Sequence, residues 1–309
     1  MNSPGVLALL LALIGLSVVA VTAACLAGLV ALVAQLRHDR RALALLLLLP
    51  SSWLYTHDRY DALPALMTVA SLFALAHRRN RTAWALLALA CATEWYPLVM
   101  APAYFAYQWQ TDRRVLFGAL ASFGGLLLAV LLTASLAIGW EHVLELDSFQ
   151  LDRGVHRESL LWLVTRAGPL AGAEDSWLAP LFLLGQFALA PLPLLARVDN
   201  WRRVAAWSAI AVLGFMLCAK SSSPQGILWV SPYLIVLART RKEIAGIVLL
   251  DVVTYAYNPL AFFGGVRLDS LEWGVLFALK TAVLIGWLLH LLRMPMPRGD
   301  DPYESPTDW

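Results

Sequence analysis

Charge is what this sequence has least of. Only 14% of its 309 residues are Asp, Glu, Lys or Arg, while 60% are hydrophobic, a balance that excludes an ordinary water-soluble domain. Cysteine is rarer still. Cys25, Cys91 and Cys218 each sit inside an apolar run without CxxC spacing, which argues against disulfides and thiolate metal sites and leaves small core residues. No P-loop, GxGxxG, HExxH or GxSxG occurs, so nucleotide-binding, zinc-hydrolase and serine-hydrolase chemistry have no motif to stand on. The apolar runs do not alternate with polar residues, and a membrane β-barrel requires that alternation.

What is present is a succession of long apolar runs cut by short polar clusters. A bilayer core about 30 Å thick is crossed by about 20 apolar residues in a helix, so the expected fold class is all-α, a polytopic integral membrane protein. The first run, 5–35, lacks a basic leading region and outlasts a signal-peptide core, so it reads as a retained span.

Six arginine-rich clusters punctuate the runs: Arg37 to Arg41, Arg78 to Arg81, Arg113 with Arg114, Arg197 to Arg203, Arg239 to Lys242, and Arg293 with Arg298. They hold 16 of the 23 lysines and arginines. The positive-inside rule assigns all six to the cytoplasmic side. They are topology marks and not a nucleic-acid patch. The other polar groups fall between them, on the opposite side: "HDRYD" at His57 to Asp61, "TEWYP" at Thr93 to Pro97, a long loop over 141–177, Lys220 to Gln225, and Arg267 to Ser270.

Threading the chain through these marks predicts about eleven hydrophobic segments: 5–35, 42–56, 62–76, 82–93, 96–110, 115–140, 178–196, 204–219, 226–238, 244–262 and 271–292. The N-terminus falls outside and the C-terminus inside. Residues 1–293 form one transmembrane domain, with an amphipathic extracytoplasmic loop at 141–177 whose apolar and charged residues suit helices at the interface. Residues 294–309 are proline-rich and polar and are expected to be a disordered cytoplasmic tail. Several segments are too short to cross alone. Segments 82–93 and 96–110, with Pro97 and Pro102, suit a broken hairpin dipping into the membrane. Irregular backbone at that depth is tolerated where it is buried in protein or lines a watery cavity, so a cavity open to the outside is expected.

Three polar stretches could carry chemistry there. Lys220 to Gln225 is either a solvated hairpin turn or a lysine and amide facing an anion. Asp58, Arg59 and Asp61 are either an ordinary charged turn or a costly cluster near headgroup depth. Glu94 tops a half-helix among apolar neighbours and is either a paired structural group or a functional one. In the long loop, Arg153 and Arg157 are four apart and share a helical face. They suit lipid headgroups or a bidentate grip on phosphate. Asp251 and Lys280, each inside a predicted span, are expected to pair with each other or with backbone.

The stretches "RYDALPALMTVASLFALAHRRNRTAWALLALACATEWYPLVMAPAY", "SFQLDRGVHRESLLWL" and "KSSSPQGILWVSPYL" together resemble, in order and spacing, bacterial polyprenol-phosphate-mannose-dependent mannosyltransferases of the GT-C glycosyltransferase superfamily. Lys220, Ser223, Pro224 and Gln225 match a Lys-x-x-Ser-Pro-Gln turn, Arg153, Gly154, Glu158 and Ser159 an Arg-Gly and Glu-Ser loop, and Tyr96 with Pro97 a Lys-x-Tyr-Pro turn. This chain departs from the pattern twice. Glu94 stands where the family has lysine, and the family's first span and aspartate-bearing outer loop have no counterpart, so the usual catalytic base is expected to be missing.

The resemblance implies a multi-pass protein of the bacterial inner (plasma) membrane. It would transfer a sugar from a polyprenyl-phosphate donor to a glycan or glycolipid acceptor on the extracytoplasmic side. Asp58, Asp61 and Glu94 are the candidate bases; Arg59, Arg153, Arg157, Lys220 and Gln225 the candidate phosphate ligands; Tyr96, Glu158 and Ser223 further site residues. No cofactor is implied, and metal dependence stays open. Membrane lipids are expected partners. The alternative reading is a non-catalytic GT-C-like subunit that binds a lipid-linked sugar, completed by a partner subunit supplying the catalytic loop.

Overall fold

A computed structural model describes residues 4–58, 61–145, 155, 158–166, 175–220, 223–261, 263–266 and 270–294. Among them there is no strand. The helices are α1 (Pro4–Leu36), α2 (Pro50–Asp58), α3 (Ala62–Ala76), α4 (Asn80–Thr93), α5 (Ala101–Thr111), α6 (Arg113–Ile138), α7 (Leu160–Arg166), α8 (Asp175–Ala188), α9 (Trp201–Cys218), α10 (Ile227–Leu237), α11 (Arg241–Tyr255) and α12 (Leu271–Arg293). Five helices among the described residues are long and apolar enough to cross a membrane: Ser17–Leu36, Arg113–Ile138, Trp201–Cys218, Arg241–Ala261 and Leu271–Arg293. The protein is therefore all-helical, with the build of a multi-pass membrane protein.

The remaining apolar segments are shorter and broken, each for a local reason. The run expected over 42–56 divides: His38–Leu48 is a 3-10 helix kinked at Arg40, Leu49 is extended, and Pro50 opens α2, the position where its fixed φ and missing N–H cost least. The segment at 96–110 likewise becomes a 3-10 turn, Tyr96–Met100, followed by α5. The chain breaks before it, at Glu94, whose backbone is extended (φ −152°, ψ 153°). The segment at 178–196 closes as α8 and a 3-10 turn at Leu192–Leu195, which Pro191 initiates.

Burial sorts the spans into layers. The apolar window of α9 is 78% buried and that of α6 only 11%, so α9 forms the centre of the bundle and α6 its rim. On α6, Phe117, Leu128 and Leu136 are exposed, an apolar face suited to lipid and not to water. The hairpin of α3 and α4 packs between α1 and α6, while α10 lies against α9, α11 and α3.

The arginine clusters meet at one end. Arg37, just past α1, donates to the carbonyls of Ile235 and Val236 (3.2 and 3.1 Å) and to that of Ala238, while Arg40 donates to the Arg239 carbonyl at 2.8 Å. Gln110 bridges the Ala196 carbonyl and the Val198 N–H, both at 2.8 Å. Helices that start or stop here place their other ends opposite. Asp61 before α3, Glu94 after α4, Lys220 after α9 and the start of α10 thus share the far end. Of the expected interfacial loop, residues 140–145 and α7 are helical; 146–154, 156–157 and 167–174, and all of the tail beyond Met294, lie outside the described residues.

Candidate functional site

Three stretches distant in sequence close on one another at that far end. Asp61 occupies the N-cap position of α3 yet does not cap it. Its carboxylate, on a residue only 4% exposed, instead accepts from the Trp229 indole Nε1 at 2.8 Å. The Trp229 ring stacks on Tyr96, with centroids 4.5 Å apart and planes 10° from parallel. Tyr96 is buried, and its hydroxyl, which lies next to Thr68, makes no hydrogen bond of good geometry among the described residues.

Glu94 completes the cluster. The break after α4 holds it half-buried, and its carboxyl is pushed up to about 7, first by burial and then by the charge of Asp61. Burial raises a carboxyl because the charged form loses its water, and a neighbouring anion adds repulsion. A carboxyl so poised can take up or release a proton near neutrality.

The Ser223 to Gln225 stretch lies alongside; Ser221 and Ser222 are outside the described residues. Ala219 leaves α9 in an extended conformation, and Pro224 opens a 3-10 turn, Pro224–Gly226, packed against α2 and α10. The Ser223 hydroxyl is bonded to the Gln225 side-chain oxygen. At Gly226 an added Cβ would stand 3.0 Å from the Met216 Cε and 3.4 Å from the Trp229 ring, so α9 and α10 close tightly here and a larger residue would have to displace the Met216 methyl. Lys220 is half-buried at the start of the turn. Asp58 ends α2; its side chain, with all of Arg59, Arg153 and Arg157, lies outside the described residues.

Glu158 belongs to a neighbouring cluster. Ser159 caps α7, accepting from the Trp162 N–H at 3.1 Å, and this sets Glu158 close to the Tyr257 hydroxyl and within electrostatic reach of Lys280. Lys280 is 2% exposed and lies 4.9 Å from the centre of the Tyr257 ring. Of the two kinds of partner expected for Asp251, Lys280 or backbone, the structure shows backbone. Asp251 accepts from the N–H groups of Ser51 (3.0 Å) and Ser52 (3.1 Å) and from the Ser52 hydroxyl (3.0 Å), closing the N-terminal turn of α2. Tyr55 of α2 donates to the Asn258 carbonyl at 2.6 Å, and so connects the two clusters.

The structure thus unites Asp61, Glu94 and Tyr96, sets the Ser223 to Gln225 turn beside their partner Trp229, and puts Glu158 with Lys280. The functional potential of Trp229, Tyr257 and Lys280 is not apparent from sequence. A Trp one turn into a broken helix was the available signal for the first, and a lysine inside an apolar run for the last. No group of three or more His, Cys, Asp or Glu side chains that could hold a metal ion occurs among the described residues. No protein-family model matches this chain, and no curated protein matches it significantly.

Proposed function

We propose that this protein is a membrane glycosyltransferase of GT-C type that uses a polyprenyl-phosphate sugar on the extracytoplasmic side. The observation that carries the reading is the convergence of Asp61, Tyr96 and Trp229, from three separate stretches, through the Asp61–Trp229 bond and the Trp229–Tyr96 stack. Two of the stretches that resemble the mannosyltransferases are thereby neighbours, at the end of the bundle opposite the arginines. The chain breaks there at Glu94 and at the Pro224–Gly226 turn, irregular backbone of the kind an outward cavity would need.

In this reading Glu94 is the base. Transfer forms a bond from the acceptor oxygen to the anomeric carbon and breaks the bond from that carbon to the donor phosphate. The acceptor proton passes to the Glu94 carboxylate, and the phosphate leaves carrying the added charge. A base near 7 serves both halves of that exchange. Asp61, tied to Trp229, keeps Glu94 raised and positions it. Lys220 faces the departing phosphate, since a cation stabilises growing negative charge.

The test is transfer from labelled polyprenyl-phosphate mannose by the full chain in proteoliposomes. Glu94→Gln is expected to lower transfer by about a hundredfold or more while donor binding persists. Binding without transfer by the unaltered protein gives instead the non-catalytic subunit. Absence of both ends the proposal.

A further inference from the structure

The arginine end carries a site of its own, independent of the reading above. A cavity of about 750 Å³ opens between the α3–α4 turn, the α5–α6 junction and the segment before α9. Arg78, Arg79, Arg81, Tyr107, Asp112 and Asp199 line it. We propose that this cavity binds a phosphate group, as borne by the headgroup of an anionic membrane lipid.

The charge balance around the cavity points that way. Its two acids are already engaged: Asp199 pairs with Arg197 at 2.6 Å and Arg203 at 3.3 Å, and Asp112 caps α6 by accepting from the Arg114 N–H at 3.2 Å. Other arginines at this end also have partners. Arg37 holds Asp39 at 3.0 Å, and Arg113 lies 4.3 Å over the Trp109 ring. Arg78, Arg79 and Arg81 make no ion pair and no side-chain hydrogen bond among the described residues. Three guanidinium groups so close together repel one another unless an anion sits between them, and their planar forks match phosphate oxygens.

The backbone supports the same occupant. Arg78 adopts φ +56°, the left-handed conformation that closes α3 through the bonds Arg79 N–H to Ala74 carbonyl (2.8 Å) and Arg78 N–H to Leu75 carbonyl (3.0 Å). Glycine is the usual residue at such a closure. The turn then opens directly into α4, which has no side-chain cap, so first-turn N–H groups of a 14-residue helix border the cavity. On the facing helix, Gly118 makes room for Arg81: an added Cβ would lie 3.2 Å from its Nε and 3.3 Å from its Nη2. Since α6 is a span, this is the level at which lipid headgroups lie.

The test uses the full chain in an uncharged detergent, following its unfolding midpoint with dihexanoyl phosphatidic acid, dihexanoyl phosphatidylcholine or inorganic phosphate at constant ionic strength. The midpoint is expected to rise with phosphatidic acid and not with phosphatidylcholine. Arg79→Gln and Arg81→Gln should each weaken the apparent affinity about tenfold, the loss of one charged hydrogen bond. Arg81→Lys keeps the charge but loses the fork, and Gly118→Ala displaces the guanidinium; both should weaken binding. Arg293→Gln, at the same end but outside the cavity, should not. Inorganic phosphate as effective as the lipid assigns the site to phosphate from solution. Equal weakening by Arg293→Gln, or no rise with either phosphate source, overturns the site.

Discussion

Trp229 and Asp61 lie 168 positions apart in sequence, and one hydrogen bond of 2.8 Å joins them. The bond fixes the entry to α3 against α10 and holds a buried carboxylate within electrostatic reach of Glu94. Trp229→Phe keeps the stack on Tyr96 and deletes the donor. It should destabilise the protein by about 1.5–3 kcal/mol, the range for a hydrogen bond to a charged group, measured as a lower unfolding midpoint in detergent.

Glu94 gives stability a pH dependence of defined sign. Its folded value of about 7 lies above the usual carboxyl range, so between about 4.3 and about 7 the native state binds more protons than the unfolded chain. Stability should fall as pH rises through that window and level off above it. Glu94→Gln should remove the slope and stabilise the protein at pH 8 by about 1–2 kcal/mol, the shift being discounted for solvent screening.

Burial is the larger cause of that raised value and Asp61 the smaller. Asp61→Asn should therefore lower the Glu94 value only part of the way toward normal. Titration of the Glu94 carboxyl by infrared difference spectroscopy reads this directly, and an unmoved titration would separate the two groups.

The Tyr96 hydroxyl, next to Thr68, makes no hydrogen bond of good geometry among the described residues, while its ring is stacked and buried. Tyr96→Phe should change stability by less than about 0.5 kcal/mol, whereas Tyr96→Ala should cost about 3–5 kcal/mol. Comparing their unfolding midpoints separates ring from hydroxyl.

Arg78 holds a left-handed conformation that costs a side chain about 1–2 kcal/mol. Arg78→Gly should raise the unfolding midpoint by relieving it, while weakening phosphatidic acid binding. A gain in stability coupled to a loss of binding would show that strain at this turn serves the ligand.

Local signals were legible in the sequence and relationships between faces were not. Pro97, Pro102 and Glu94 announce a break because each disrupts an apolar helix by itself, and the break falls there. The gathering of arginines at one end follows from their spacing along the chain. The union of Trp229 with Asp61 depends on which faces of two short helices meet, information that no single stretch contains. For Asp251 and Lys280 the sequence left mutual pairing and backbone pairing both open, for a related reason. Residence in two spans does not specify depth or facing, and Asp251 found the free N–H groups of α2 while Lys280 found Tyr257 and Glu158. The kink at Arg40 has no proline or glycine to announce it.

Arg37 fastens the other end of the helix that presents Trp229. One guanidinium from the first span answers the Ile235, Val236 and Ala238 carbonyls, groups that would otherwise end a half-helix unsatisfied at membrane depth. The first span is thus more than an anchor. An unrelated apolar helix of equal length in its place would preserve the threading of the chain, yet it would release α10 and so loosen the Asp61–Trp229 cluster at the opposite end of the bundle.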